Sequence, residues 1–215
     1  MIEKPHPLAL ALASLKRSAQ PDAPRFALVL GGGSGRNILP LLSAHIAVDV
    51  IEEDAARAQA LRDRFDQEPS VRVAHGPYAE PNVFARQYNA VLSTHALLHG
   101  SSAAISGTLE ALKELLAPDA DMMLTLGSAR DPRLGTGQRI DAQTWTPLES
   151  PEKGVPHVYY DREEARTALR SFAVVSLREV CARDIVGRWA HAVDATPEIV
   201  HWFAHVKNEG GAAPL

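Results

Sequence analysis

One stretch constrains this chain more than any other: Phe26 to Asn37, reading Phe-Ala-Leu-Val-Leu-Gly-Gly-Gly-Ser-Gly-Arg-Asn. Five apolar residues without a polar break suit a strand buried on both faces, as in a parallel sheet. Four glycines fall within the next five positions, and the apolar run Ile38 to Leu42 then suits a helix. A strand that enters a helix through a glycine turn is the ligand-holding corner of doubly wound α/β folds. Glycine tolerates positive φ in so tight a turn, and without a Cβ it lets a ligand touch the backbone. The first amides of the helix point at whatever occupies that turn.

The remainder of the chain alternates. Ile46 to Ile51 reads as a second strand ending at Glu52-Glu53-Asp54, and Ala55, Ala58, Leu61 and Phe65 form a helical stripe after it. Val71 to Ala74 is a short third strand broken by Gly76-Pro77, and Tyr88 to Ser93 is a fourth. Ile105, Leu109, Leu112 and Leu116 mark a helix closed by Pro118, with Met122 to Leu126 as a fifth strand. Ser128 to Pro156 has many glycines and prolines and little apolar periodicity, as a functional lid or a disordered loop does. Asp161, with Glu164 three residues on, starts a helix that buries Ala165, Ala168, Leu169 and Phe172. Val174 to Leu177 and Ile199 to Val206 are the closing strands, with Trp189, Trp202 and Phe203 expected in their core. Five strand–helix alternations predict a parallel sheet with helices on both faces.

Spacing narrows the ligand. A dinucleotide fingerprint needs G-x-G-x-x-G, but its last position is Arg36 counted from Gly31 and Ile38 counted from Gly33. No Gly-Lys-Ser/Thr of a phosphate-cradling loop is present. The observed pattern, Gly31, Gly33 and Gly35, resembles the first motif of class I S-adenosylmethionine-dependent methyltransferases, and the resemblance runs from about Phe26 to Lys207. Val91 to His99 looks like that family's segment after the fourth strand. Leu115 to Pro118 followed by Met122 to Thr125 resembles its fifth-strand approach, and Gly154 to Asp161 the stretch before its final helix.

The resemblance implies a three-layer α/β/α doubly wound fold, with a mostly parallel seven-stranded sheet whose last strand is antiparallel. It implies S-adenosyl-L-methionine as cofactor, held by Gly31, Gly32, Gly33 and Gly35, by Glu52 and Glu53, by Gly76, Pro77 and Tyr78, and by Ser93 and Thr94. Glu52, at the tip of the second strand, is the expected acceptor for the ribose hydroxyls, because a carboxylate suits two hydroxyl donors. Asp49 is a second candidate, inside the strand. The sequence departs from the family at Val29 and Pro77, where acidic residues are common.

Methyl transfer from a sulfonium needs a base only when the acceptor must lose a proton. His95 and His99 are the candidates, because imidazole titrates near neutrality. His95, Trp145, His157 and Tyr160, with Tyr159 beside them, are expected to line a small-molecule acceptor site, and Arg130, Arg133 and Arg139 give the long loop a positive character. His95 and His99 lack the Glu of an H-E-x-x-H pair and an identifiable third ligand, so no metal is expected.

Composition sets the remaining bounds. At 215 residues and 46% hydrophobic content, the chain supports one substantial core. We expect an N-terminal helix and linker over 1–25, the main domain over 26–207 and a frayed tail over 208–215. Leu8, Leu12 and Leu15 share one helical face, which favours a docked amphipathic helix over a cleaved signal. A net charge of −4, with no Asn/Asp-Pro-Pro-Tyr tetrad and no Pro-Cys pair, disfavours a nucleic-acid partner. No apolar run spans a bilayer, so no membrane association is expected, and a lone cysteine, Cys181, fits the cytoplasm. Oligomeric state is not legible. Two rival functions share the strand-turn-helix: a nicotinamide-dinucleotide oxidoreductase, and a non-catalytic relative that uses the fold to bind proteins.

Overall fold

The computed structural model describes residues 4–15, 24–149, 152–185 and 198–209. Residues 21–23 of the linker expected at 21–24, Trp189 and the tail at 210–215 lie outside the described residues. A seven-stranded sheet runs β3 (Val71–His75), β2 (Ile46–Glu52), β1 (Arg25–Leu30), β4 (Tyr88–Ser93), β5 (Leu116–Ser128), β10 (Val200–Lys207) and β9 (Ala173–Cys181). The first five strands pair in parallel, and β10 lies antiparallel between β5 and β9. Among the described residues, no helix is long and apolar enough to cross a membrane.

Alternation along the strands builds two cores, one on each face of the sheet. Leu28 and Leu30 join Ile105, Leu109 and Leu112 of α4 (Ser102–Leu115) and Ala165 of α5 (Arg162–Ala168). Ala27 and Val29 face the other way, onto α1 (Pro7–Ser14), α2 (Ile38–Ser43) and α3 (Ala55–Arg64) through Leu8, Leu12, Ile38, Leu41 and Leu61. The expected three-layer fold is therefore present. Helix α5 opens with a reciprocal capping box between Asp161 and Glu164.

Three expectations need correction. Pro118 does not close a helix: α4 stops at Leu115 and β5 starts at Leu116, so Pro118 falls within the strand beside a register shift and the positive φ of Asp119. Proline tolerates a strand at such an irregularity because its missing N–H breaks no regular ladder. Asn208 is pinned rather than frayed. Its Nδ2 donates to Leu116 O at 2.7 Å, its N–H to Ala120 O at 3.0 Å, and its carbonyl accepts from Asp119 N at 2.8 Å.

The segment from Ser128 to Pro156 also contains strand. β6 (Gln138–Arg139) and β7 (Thr144–Thr146) form an antiparallel flap with β8 (His157–Tyr160), and β8 pairs in parallel with the end of β5. Gly127 permits that join, because a Cβ there would overlap the Val158 carbonyl.

Candidate functional site

The G-x-G-x-G spacing is the spacing of left-handed backbone: Gly31, Gly33 and Gly35 have φ of 76°, 54° and 82°. Their duties differ. Added Cβ atoms at Gly32 and Gly35 would strike Leu61 and Phe65, so these two let the turn sit tightly on α3. Gly33 faces open space, with no heavy atom within 4 Å of the place its Cβ would take. A Cβ on Gly31 would reach 3.1 Å from the Ala96 Cβ and 3.2 Å from the Tyr78 hydroxyl, which marks the walls on either side.

Glu52 closes the second side. It ends β2, the neighbour of β1, with 2% of its surface exposed. Its Oε2 accepts the Gly33 N–H at 3.0 Å and its Oε1 the Asp54 N–H at 3.2 Å. The carboxylate thus faces the turn, and each oxygen retains further acceptor capacity. Glu53 Oε1 accepts the Tyr78 N–H at 2.9 Å, and Gly76 N donates to Glu52 O at 3.2 Å, which ties the loop after β3 to the same corner. Gly76 has open space where a side chain would stand, and Pro77 is exposed. Burial, and then the charges of Glu52 and Glu53, raise the Tyr78 hydroxyl far above its ordinary value, so it stays neutral. Asp49 lies elsewhere: it binds Arg72 at 2.7 and 2.6 Å and accepts from the Tyr88 hydroxyl at 2.9 Å, as a structural ion cluster.

The third side follows β4. Ser93 is fully buried with no hydrogen bond at its Oγ, and Thr94 Oγ1 accepts from Asn37 Nδ2 at 2.9 Å. Asn37 Oδ1 takes the His6 N–H at 2.8 Å, so α1 docks directly behind this wall. His95 adopts φ 69°, with its N–H on Thr125 Oγ1 at 2.8 Å. For a side chain other than glycine, that backbone costs of order 1 kcal/mol and marks a site held by its surroundings. Its ring lies 5.5 Å from His6 and 5.1 Å from His201. His99 is turned away from this row, with its ring edge-on to His157 at 4.7 Å.

The flap supplies the fourth side. Trp145 and His157 are directly opposed in the β7–β8 ladder and so share a face. Alternation puts Tyr159 on that face and Tyr160 on the other. Tyr160 lines a groove of about 410 Å³ between α4 and α5, with Ser102, Glu110 and Arg170, so the structure does not bring it to His157. Tyr159 takes its place; its hydroxyl is pushed up to about 12, chiefly by burial. The loop arginines are also spent on partners. Arg133 binds Asp131 and Glu152, Arg130 binds Glu179, and Arg139 lies over the Trp145 ring.

Sequence reasoning missed His6, Glu152 and His201, which come from segments remote in the chain that no local pattern marks. It named Tyr159 and Tyr160 together, and the alternation of His157-Val-Tyr-Tyr160 separates the two.

No protein-family model matches the chain, and no curated protein matches it significantly. Solved structures do share its fold. A methyltransferase dependent on S-adenosylmethionine, from Methanosarcina mazei, superposes with TM-score 0.68 at 13% identity, covering 95% of this chain and 98% of that one. The CcbJ methyltransferase from Streptomyces caelestis gives 0.64 at 18% identity over 92% of each chain. The 1,6-didemethyltoxoflavin-N1-methyltransferase of Burkholderia thailandensis, solved with 1,6-didemethyltoxoflavin and S-adenosylhomocysteine, gives 0.64 at 17% identity, covering 94% and 76%. The chain therefore has the Rossmann-like fold of these methyltransferases.

Proposed function

We propose that this protein is an S-adenosylmethionine-dependent methyltransferase that acts on a small molecule in the cytoplasm. One observation carries the reading: the bare backbone at Gly33 opens on free space while the buried Glu52 carboxylate faces the same turn. That is the shape and charge a nucleoside with two ribose hydroxyls requires. The fold shared with methyltransferases supports it. The lone cysteine supports the compartment.

S-Adenosylmethionine, when bound, supplies a methyl group already activated on a sulfonium. What the chain must add is alignment and exclusion of water. Glu52 would accept the ribose hydroxyls with lone pairs not used by Gly33 and Asp54. Gly31, Gly32 and Gly33 would present backbone, with Gly35 holding the turn down on Phe65. Glu53, Gly76, Pro77 and Tyr78 would flank the base, and Ser93 and Thr94 the amino-acid end; the buried Ser93 Oγ fits a polar partner there. His95, beside Ala96 and the glycine turn, would take a proton from an acceptor that must lose one. Trp145, His157 and Tyr159 would wall the acceptor, with His99 behind His157.

Differential scanning fluorimetry with S-adenosylhomocysteine tests the reading, because a ligand of the native state stabilises it by about 2.7 kcal/mol at a hundredfold excess over Kd. A rise in Tm is expected. No shift at millimolar ligand on demonstrably folded protein overturns the proposal. Titration with NADH, followed by energy transfer from tryptophan, tests the dinucleotide alternative.

A further inference from the structure

His157 and Glu152 meet at the flap without an aligned hydrogen bond between them. His157 is buried, and its Nδ1 lies 2.8 Å from the Val155 carbonyl oxygen, so Nδ1 donates there and Nε2 is the ring atom that faces Glu152. That Nε2 has no hydrogen bond, yet Glu152 Oε2 stands 3.1 Å from it. An imidazole nitrogen and a carboxylate oxygen that close can share a proton or a metal cation. His99 completes the group: its backbone bridges to His157, Gly100 N donates to Pro156 O at 3.0 Å, and its ring meets His157 edge-on. One ligating atom from each of His99, Glu152 and His157 lies within 4.8 Å of the other two.

We infer that these three side chains form a binding site for a first-row transition-metal dication such as Zn²⁺ or Co²⁺. Two imidazoles and one carboxylate are the donors such ions take, whereas Mg²⁺ and Ca²⁺ prefer oxygen throughout. Bonds of about 2.0–2.1 Å put tetrahedral ligands about 3.4 Å apart. The widest separation, at most 4.8 Å, therefore closes by up to about 1.4 Å, while the 3.1 Å pair of His157 and Glu152 opens slightly.

The surroundings suit a ligand set. A metal-binding imidazole characteristically donates its other N–H to a carbonyl, as His157 does to Val155. Arg133 Nη1 lies 3.3 Å from Glu152 Oε2 and orients that carboxylate. Its charge does not repel the metal unopposed, because Asp131 holds the same guanidinium through Nε at 2.9 Å and Nη2 at 3.1 Å. The three groups together leave one negative charge beside the dication. Three protein ligands leave a coordination position open, on the face shared with Trp145 and Tyr159. An acceptor oxygen or nitrogen is the chemistry that position would take. The site is not the His95–His99 pair that sequence spacing brought up and set aside, because His95 joins His6 and His201 instead.

Spectroscopic titration of the full chain with Co²⁺, after dialysis against chelator, tests the inference without reference to methyl transfer. The native protein should take up one equivalent with visible d–d absorption, which Zn²⁺ then displaces. His157→Gln and Glu152→Gln should each weaken binding tenfold or more. His99→Gln, at a partly exposed position, should do the same with the Tm held, which covers the event that the buried variants unfold. The absence of saturable uptake by the native chain overturns the site and leaves a proton between His157 and Glu152. Uptake unchanged in folded His99→Gln overturns it equally. Calorimetry with S-adenosylhomocysteine on the same sample reports on the cofactor proposal separately.

Discussion

The Gly33 amide and the Glu52 carboxylate, 19 residues apart in the chain, meet at 3.0 Å. One hydrogen bond thus ties the glycine turn after β1 to the tip of β2, and it places the only carboxylate of that tip that is fully buried where a ligand on bare backbone would meet it.

Two glycines of the turn should separate binding from folding. Gly33→Val puts its side chain into open space, so it should cost S-adenosylhomocysteine at least tenfold in affinity, with backbone strain of about 1–2 kcal/mol. Gly32→Ala would place a Cβ 2.6 Å from Leu61 Cδ1 and 2.7 Å from Val50 Cγ1, and overpacking of this kind costs about 1–3 kcal/mol. Calorimetry and urea unfolding on both variants would read the split; unchanged affinity in Gly33→Val refutes the placement.

Two buried acids of β2 should divide in the same way. Glu52→Ala removes a charged acceptor and should weaken cofactor binding by about 1–3 kcal/mol. Asp49→Ala leaves the Tyr88 hydroxyl and Arg72 without their acceptor, and should lower stability by about 1–3 kcal/mol with affinity unchanged. Loss of affinity in Asp49→Ala alone would reverse the assignment.

Acid should destabilise the fold through His6. Burial first, and then the Arg36 charge, lower its pKa from 6.5 to about 3. The ring is kept neutral: Nδ1 accepts the Leu8 N–H at 3.2 Å, and His95 and Phe203 pack against it. The unfolded chain therefore binds a proton that the native chain refuses. This contribution is complete above pH 6.5 and is lost as pH falls from there to about 3, at up to about 1.4 kcal/mol per pH unit. His6→Asn keeps a capping acceptor and should flatten that part of the curve. An unchanged slope in urea midpoints between pH 6.5 and 4.5 would exclude His6 as the source.

Asn208 should matter more than its place near the chain end suggests. Asn208→Ala strips a buried donor from Leu116 O and should cost about 1–3 kcal/mol in denaturant unfolding. A cost near zero would return this residue to the frayed tail.

The existence of the five parallel strands, the two-sided sheet and the glycine turn were legible in the chain because each is a local demand. A strand buried on both faces must be continuously apolar, and backbone at positive φ selects glycine at positions 31, 33 and 35. The capping box of Asp161 and Glu164 is local in the same sense. Tertiary structure decided the rest. Which of Tyr159 and Tyr160 faces the site follows from how β8 docks beside Gly127, and the shift of one residue exchanges the two faces. Glu152, His157 and His99 meet only because the flap folds back on the turn after β4. Chain pattern records which face is buried; the convergence of remote side chains is set by how the sheet closes.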